Sequence, residues 1–518
     1  MTRNNFSSSS LPPPFAEDLA NLNPHWSGRP GPKVPAFRRG IFDRLRRLIH
    51  NGLTPAIVLR GPRRVGKTVL LRQLMEALLA EGVGPQRILH APFDEIQALR
   101  HTVDPIQAIG RWFEQNVLGR TLNESARAGE TAYLLLDEVQ NLDSWAPQIK
   151  HLVDNNDVRV LVTGSSSLRI EAGRDSLAGR ITTLEIGPLL LREIAGLRSG
   201  QTVDPFWKEN GADSLSDPEF WRAAAVHSRD QADLRIPAFQ AFSDRGAYPI
   251  AHERKDEAWP EIADYLNETV IRRAIQHDLR MGPRGAKRDE TLLEEVFRLA
   301  CRYAGQAPGR DPGSESPPLS GAGGPLESGR ESPPLSGVGG QPNVGWQRVF
   351  SYLKFLDGTL LIRLIRPLEL RLKKQKSASK LCLCDHALRA SWLQEIVPLT
   401  PADLAAAPRG ADLAGHIAES VLGYFFASVP TLDVSWFPQR GAEPEVDFVL
   451  TVGLRRIPIE VKDRRRIDSF DDSRGLRAFL EKTVYNAPFG LLVTLEDDVV
   501  VTDPRIIPIS LSSLLWLR

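Results

Sequence analysis

Cysteine is scarce: Cys301, Cys382 and Cys384 are the three in 518 residues. An odd number gives no disulfide framework, and the Cys-x-Cys spacing is too tight for a usual zinc knuckle. Neither a disulfide scaffold nor a cysteine metal centre is expected, which suits a reducing cytoplasm. No uninterrupted apolar run of membrane-spanning length occurs, and the N-terminal stretch has no signal-peptide apolar core, so no membrane association is expected. Charge of one sign is not in excess either: Lys+Arg 65 against Asp+Glu 64 leaves a net +1. The total therefore implies no polyanionic partner, and any nucleic-acid surface has to arise from local clustering. The hydrophobic fraction of 42% is that of a globular protein. The length is too great for one ordinary core and predicts roughly two to four domains.

The most informative stretch is Gly61-Pro62-Arg63-Arg64-Val65-Gly66-Lys67-Thr68, which fits the phosphate-loop pattern G-x-x-x-x-G-K-[ST]. Ala56 to Arg60 before it reads as a short buried strand. Val69, Leu70, Leu71, Leu74, Met75, Leu78 and Leu79 after it recur at helical spacing. Strand, glycine loop and helix form the geometry that phosphate binding needs. The glycines let successive backbone N–H groups face phosphate oxygens, and the helix N-terminus adds partial positive charge. Lys67 is placed to reach the β- and γ-phosphates of ATP, and the Thr68 hydroxyl to ligate Mg²⁺.

Arg87 to Ala91 reads as a second strand. Ala132-Tyr133-Leu134-Leu135-Leu136-Asp137-Glu138 is an apolar run ending in two carboxylates, as expected of a buried parallel strand. Ligands of open α/β sheets bind at that C-terminal strand edge. Behind a phosphate loop, Asp137 is the candidate to hold Mg²⁺ through water, and Glu138 to orient the attacking water. The next strand, Val158 to Val162, runs into Thr163-Gly164-Ser165. Where an extra strand lies between the loop strand and the acidic strand, a polar residue here senses the γ-phosphate. Thr163 and Ser165 are the candidates; a Ser/Gly turn without nucleotide contact is the alternative. Arg180, before the strand Ile181 to Ile186, is a candidate arginine finger acting on a neighbouring copy, or an ordinary surface arginine.

Taken in order, the phosphate loop, Leu136-Asp137-Glu138-Val139-Gln140, Thr163-Gly164-Ser165-Ser166-Ser167 and Ser176-Leu177-Ala178-Gly179-Arg180 resemble the prokaryotic AAA-superfamily ATPases. These pair a P-loop domain with a C-terminal domain of unknown function. The resemblance runs from about Phe37 to the C-terminus. Gly246-Ala247-Tyr248-Pro249 and Tyr265-Leu266-Asn267-Glu268 are similar to segments that follow the family's ATPase core. The stretch from about Gly200 to Phe242, with Trp207 and Trp221, departs from the pattern by its length and has no assigned role.

Residues 1–35 are rich in Ser, Pro and Asn and are expected to form a disordered arm. Phe37 to Leu48 reads as an amphipathic helix with a solvated basic face. Residues 306–343 contain Glu315 to Gly324, repeated 16 residues later as Glu331 to Gly340. Pro, Gly and Ser at that density predict a disordered linker. Around it, helices near Leu292–Tyr303 and Arg348–Leu356 and strands near Thr359–Ile365 and Lys380–Cys384 match a winged-helix module, which the resemblance also implies. Arg371, Lys373, Lys374, Lys376 and Lys380 would crowd its wing. Such a wing is a candidate DNA contact, or a solvated charged hairpin.

Farther on, Asp412 to Ala427 reads as a helix carrying Glu419. Glu445 to Leu450 and Ile457 to Lys462 read as a strand pair. Asp447 precedes Glu460 by 13 residues, and Lys462 shares a strand face with Glu460. This resembles the D…E-x-K arrangement of the restriction-endonuclease-like fold, with Glu419 as the helix acid. The four side chains are expected to converge on one Mg²⁺ or Mn²⁺. An inactive relic of that fold is the alternative.

The sequence therefore predicts an α/β protein: an AAA-type P-loop domain with a parallel sheet over 36–200, a helical extension over 201–290, a winged-helix module over 291–395 and a restriction-endonuclease-like domain over 396–518. The expected activity is ATP hydrolysis with Mg²⁺, moving or loading the C-terminal domains on a nucleic-acid or protein partner, with a homo-oligomer if Arg180 acts in trans. An ATP-gated metal-dependent nuclease and a nucleotide switch with little turnover are the alternatives.

Overall fold

The buried apolar runs of the first half become parallel strands. In a computed structural model of the chain, residues 13–95, 102–142, 144–164, 177–208, 212–278, 289–308, 346–369, 378–407, 410–462, 464 and 466–518 are described. The chain divides into two units, Met1–Ile186 and Gly187–Arg518.

In the first unit, β1 (Ala56–Arg60), β2 (Ile88–Pro92), β3 (Ala132–Asp137), β4 (Val158–Gly164) and β5 (Ile181–Glu185) form a sheet of order β2-β3-β4-β1-β5, every pair parallel. Parallel neighbours need crossovers, and helices supply them. α1 (Pro13–Leu22) and α2 (Ile41–Asn51) precede the sheet. α3 (Lys67–Ala80) joins β1 to β2, α4 (Pro105–Phe113) and α5 (Leu122–Arg127) lie between β2 and β3, and α6 (Trp145–Asn155) joins β3 to β4. Strands β1 to β4 are almost wholly buried, as expected of an all-parallel sheet, while the edge strand β5 is mostly half-buried.

The expected disordered arm is corrected from Pro13 onward. Phe15 and Leu19 of α1 are buried with Leu89 and Ala91 of β2. Asn23 then lies against the β2 edge: its side-chain amide donates to the His90 carbonyl oxygen (2.8 Å), and its oxygen accepts the His90 N–H (2.7 Å). Trp26 Nε1 donates to the Ile88 carbonyl oxygen at 2.8 Å. The segment thus satisfies backbone groups of an edge strand that would otherwise stay unpaired. Residues 1–12 of the arm lie outside the described residues.

In the second unit, β6 (Ile362–Pro367), β7 (Lys380–Leu383), β8 (Asp433–Phe437), β9 (Val446–Val452), β10 (Arg455–Lys462), β11 (Gly490–Thr494) and β12 (Ile506–Ser510) form one mixed sheet of order β12-β11-β10-β9-β8-β6-β7. This corrects the separation of a winged-helix module from the domain after it. The antiparallel hairpin β6–β7 is present, but β6 also pairs with β8, Arg366 opposite Ser435 and Pro367 opposite Trp436. The hairpin is therefore the edge of the C-terminal sheet. Arg371, Lys373, Lys374 and Lys376 lie outside the described residues, as does nearly all of the predicted linker. The helix Ala411–Ala427 turns Ile417, Leu422 and Phe426 inward.

The segment without an assigned role packs on the C-terminal end of the chain. Trp207 N–H donates to the Leu517 carbonyl oxygen (2.8 Å), and the buried Trp221 donates through Nε1 to Leu215 (2.8 Å). Arg235, 1% exposed, pairs with Asp497 at 2.5 Å. Among the described residues no helix is long and apolar enough to cross a membrane.

Candidate nucleotide site and C-terminal carboxylate cluster

The phosphate loop turns out of β1 through two glycines with different jobs. A Cβ on Gly61 would run into the Ile186 carbonyl oxygen, because the backbone after β5 crosses there. Gly66 has φ +97°, where a side chain is strained, and it hands the chain into α3. Arg64 also has φ +64°, a loop strain of the kind functional sites retain. Arg39, read from sequence as part of a solvated basic face, donates from Nη1 to the Val65 carbonyl oxygen at 3.0 Å and braces the loop. Only its position, 26 residues away, hid it.

Lys67 is 4% exposed; its Nζ donates to the carbonyl oxygens of Gly61 (3.0 Å) and Pro62 (2.8 Å) and lies 4.0 Å from Glu138 Oε1. Thr68 Oγ1 donates to Asp137 Oδ2 at 2.8 Å, across 69 residues of chain. β4 is the strand inserted between β1 and β3, and it brings Thr163 to the same place. The Thr163 hydroxyl donates to Asp137 Oδ1 and accepts the Glu138 backbone N–H at 3.1 Å. One hydroxyl therefore fixes both acidic residues. Glu138 has φ +55°, and its Oε2 accepts from the buried Gln140 amide. Gln140 ends the motif Leu136 to Gln140 but was given no role from sequence; its place two residues after Glu138 is the signal that was available. Burial, then the neighbouring Glu138 charge, push the Asp137 carboxyl up to about 6, against the hydrogen bonds from Thr163 and Thr68.

These residues fit Mg²⁺ and a nucleotide phosphate. A hydroxyl and a carboxylate already touching are a hard-oxygen donor pair, and a buried ammonium faces the same loop. Ser165 lies outside the described residues. Arg180 is at the N-terminal end of the strands, opposite the phosphate loop, where its carbonyl accepts the Ala56 N–H and its guanidinium pairs with Asp154. It cannot reach the phosphate loop of its own chain.

The second candidate set lies on the C-terminal sheet. Asp447 on β9 is beside Val461 of β10, whose N–H it accepts on Oδ2 at 2.9 Å. Lys462 Nζ donates to Glu460 Oε1 at 2.7 Å. Glu419, on the helix Ala411–Ala427, faces the same region. The cluster, however, is organised around Lys380 of β7, which the sequence placed in an exposed wing. Lys380 is 2% exposed and donates to Glu419 Oε2 (2.8 Å) and Asp447 Oδ1 (2.9 Å), with Glu445 Oε1 at 3.5 Å. Burial opposes its charge, but Asp447, Glu419 and Glu445 outweigh that and hold the ammonium well above its ordinary pKa. Burial and the Asp447 charge push Glu460 up to about 8.

A divalent ion does not fit this cluster as it stands. Both oxygens of Asp447 carry partners, and Glu419 Oε2 is taken by Lys380 while its Oε1 lies 3.7 Å from His416 Nδ1. Among the described residues no three His, Cys, Asp or Glu side chains come together as an ion would need. Glu460 Oε2 is the one buried carboxylate oxygen of the cluster without a hydrogen-bond partner, and one oxygen makes no divalent site. The expected convergence of Glu419, Asp447, Glu460 and Lys462 on a shared ion is thus corrected: a lysine occupies the middle.

A parallel sheet ordered β2-β3-β4-β1-β5, with a phosphate loop after β1 and an acidic pair after β3, is consistent with a P-loop domain of AAA type. The family model described as "AAA domain" matches residues 53–195, which supports a nucleotide-binding ATPase domain; such domains generally use ATP and Mg²⁺. The chain is similar to an uncharacterised protein of Methanocaldococcus jannaschii, 29% identical over 264 residues, covering 50% of each chain. An uncharacterised protein of Mycobacterium tuberculosis is 28% identical over 244 residues, 44% of this chain and 47% of that one. The chain spans about half the length of the curated relatives it matches. Among solved structures, AMPPCP-bound DnaA from Aquifex aeolicus is 15% identical over 54% of this chain and 84% of that one, with a TM-score of 0.24. At that score the likeness adds nothing to what the site shows.

Proposed function

We propose that the chain hydrolyses ATP at the loop 61–68 and uses the cycle to move or load its C-terminal unit on a nucleic-acid or protein partner. The observation that carries this reading is the joining of Thr68, Asp137 and Thr163 in one hydrogen-bonded set beside Lys67. Lys67 exchanges its carbonyl partners for β- and γ-phosphate oxygens. Thr68 and Asp137 would hold Mg²⁺, which would supply charge neutralisation at the phosphates. Glu138, aimed by the Thr163 hydroxyl on its backbone, accepts a proton from the attacking water. Arg180 serves a neighbouring copy's site, since it is remote from its own.

The test is phosphate release from ATP by the full chain, with and without duplex DNA, for the wild type and Lys67→Ala. Release abolished by the substitution supports the reading. Indistinguishable release and nucleotide binding in the two proteins would sink it. Release per chain that rises with protein concentration, and falls in Arg180→Ala, would support the trans role. Concentration-independent release untouched by Arg180→Ala would make Arg180 a surface residue.

A further inference from the structure

We propose that the Lys380 ammonium is the resident cation of the C-terminal carboxylate cluster, occupying the place a divalent ion would take, and that removing it creates a divalent-metal site. This inference is independent of the nucleotide site.

An ammonium has three N–H donors. Those of Lys380 are directed at Glu419 Oε2 (2.8 Å), Asp447 Oδ1 (2.9 Å) and the pair formed by Glu445 Oε1 and the Asp447 carbonyl oxygen, both at 3.5 Å. The aromatic rings of Phe448 and Trp436 lie 5.1 and 5.8 Å from Nζ and add their negative faces. The donor capacity of the ammonium is therefore filled by the same oxygens that an ion would need. These oxygens come from two places: the helix Ala411–Ala427, and the start of β9, where Glu445 and Asp447 are two residues apart. The central ammonium joins the helix carboxylate to the strand pair. A Mg²⁺ ion would demand oxygens at roughly 2.0–2.1 Å on all sides. It cannot enter while a covalently tethered ammonium remains between them, and like charges this close repel strongly.

Taking the ammonium away reverses the balance. Glu419, Asp447 and Glu445 would then face one another with Lys462, which is turned to Glu460, as the other nearby ammonium. Three carboxylates around a cavity of lysine size are a hard-oxygen donor set. The partly exposed Glu445 side chain leaves a way in for a hydrated ion. Lys380→Met keeps the apolar stem and removes the charge, so it is the substitution of choice.

The experiment titrates MnCl₂ into the nucleotide-free full chain and follows the loss of the free-ion electron paramagnetic resonance signal. Wild type and Asp447→Asn are expected to give superimposable titrations. Lys380→Met is expected to gain one Mn²⁺ per chain, at least tenfold tighter than any wild-type binding, and to lose it in Lys380→Met/Asp447→Asn. A wild-type Mn²⁺ site that Asp447→Asn abolishes would overturn the proposal. So would a folded Lys380→Met, verified by circular dichroism, that gains no site. If Lys380→Met does not fold, Lys380→Gln replaces it, and the wild-type comparison decides independently of either.

Discussion

The chain uses two buried lysines among carboxylates in opposite ways. Lys67 donates to the uncharged carbonyl oxygens of Gly61 and Pro62 and lies at the 4.0 Å limit of an ion pair with Glu138. Lys380 donates to Glu419 and Asp447 at 2.8 and 2.9 Å. Both sets of hydrogen bonds have an ionised donor, but Glu419 and Asp447 add full opposite charges that carbonyl dipoles lack. The first ammonium is therefore held by partners that an incoming phosphate can replace, while the second is locked by full charges. Under the proposed function, Lys67 exchanges its dipolar partners for a ligand, whereas the ionic partners of Lys380 make it structural.

The sharpest way to break the comparison is to make the same substitution at both positions. Lys380→Ala leaves Glu419 and Asp447 buried without their counter-charge, and removing one partner of such a pair costs about 3–5 kcal/mol. Its urea midpoint should fall accordingly, while Lys67→Ala, which removes hydrogen bonds to the uncharged carbonyl oxygens of Gly61 and Pro62, should shift it less. Equal midpoints for the two variants would mean that Lys380 is no more structural than Lys67. The ligand measurement should invert the order: Lys67→Ala is expected to weaken ATP binding by on the order of 10²-fold or more, by loss of the charge facing the β- and γ-phosphates. Unchanged affinity in a nucleotide titration would remove Lys67 from the site.

The two regions also differ in how far the sequence reveals them. The phosphate loop and the Asp137-Glu138 pair are contiguous strings readable from local pattern, and the structure brings Thr68 and Asp137 together at neighbouring strand ends. Thr163 was legible because a strand ending in hydroxyls after an acidic strand is a recognisable order. Lys380 was not, because its partners lie 39 and 67 residues away. In the sequence it is the last of a run of lysines and reads as surface charge. Its burial is decided by β6 pairing with β8, a register that no local pattern encodes. The arm was misread for a related reason. Pro12 to Pro14 dominated the composition, although a proline at the start of a helix is well tolerated and Phe15, Leu19 and Leu22 already have helical spacing.

Glu138→Gln separates binding from hydrolysis within the first region. The amide keeps the shape of the side chain and its contact with Gln140, but it cannot accept a proton from water. Turnover is expected to fall by on the order of 10²-fold, the usual scale for a lost general base. ATP affinity should stay near that of the wild type, so the nucleotide remains bound and intact. A variant that turns over at the wild-type rate would move the role of base to another residue.

The smallest effect concerns a carboxylate that has no lysine locked onto it. Asp137 is buried, and its pKa is pushed up to about 6 from an ordinary 3.8. A carboxyl whose pKa is raised on folding binds its proton more tightly in the native state. Its contribution to stability is therefore greatest below pH 3.8, is lost as the pH rises towards 6, and stays lost above that. At neutral pH the nucleotide-free protein carries an ionised group that burial disfavours. The shift sets a ceiling of roughly 3 kcal/mol on that cost, and an amide, with one oxygen, can accept from only one of Thr68 and Thr163, which would cancel about 1 kcal/mol of any gain. Asp137→Asn should therefore stabilise the nucleotide-free protein by roughly 2 kcal/mol at about pH 7.5, with the advantage disappearing near about pH 4. Thermal unfolding of both proteins across that pH range reads the difference. With Mg²⁺-ATP present the sign should reverse, because the variant gives up the carboxylate that holds the ion. A variant less stable than the wild type throughout, with nucleotide absent, would mean that the Thr68 and Thr163 hydrogen bonds outweigh the buried charge.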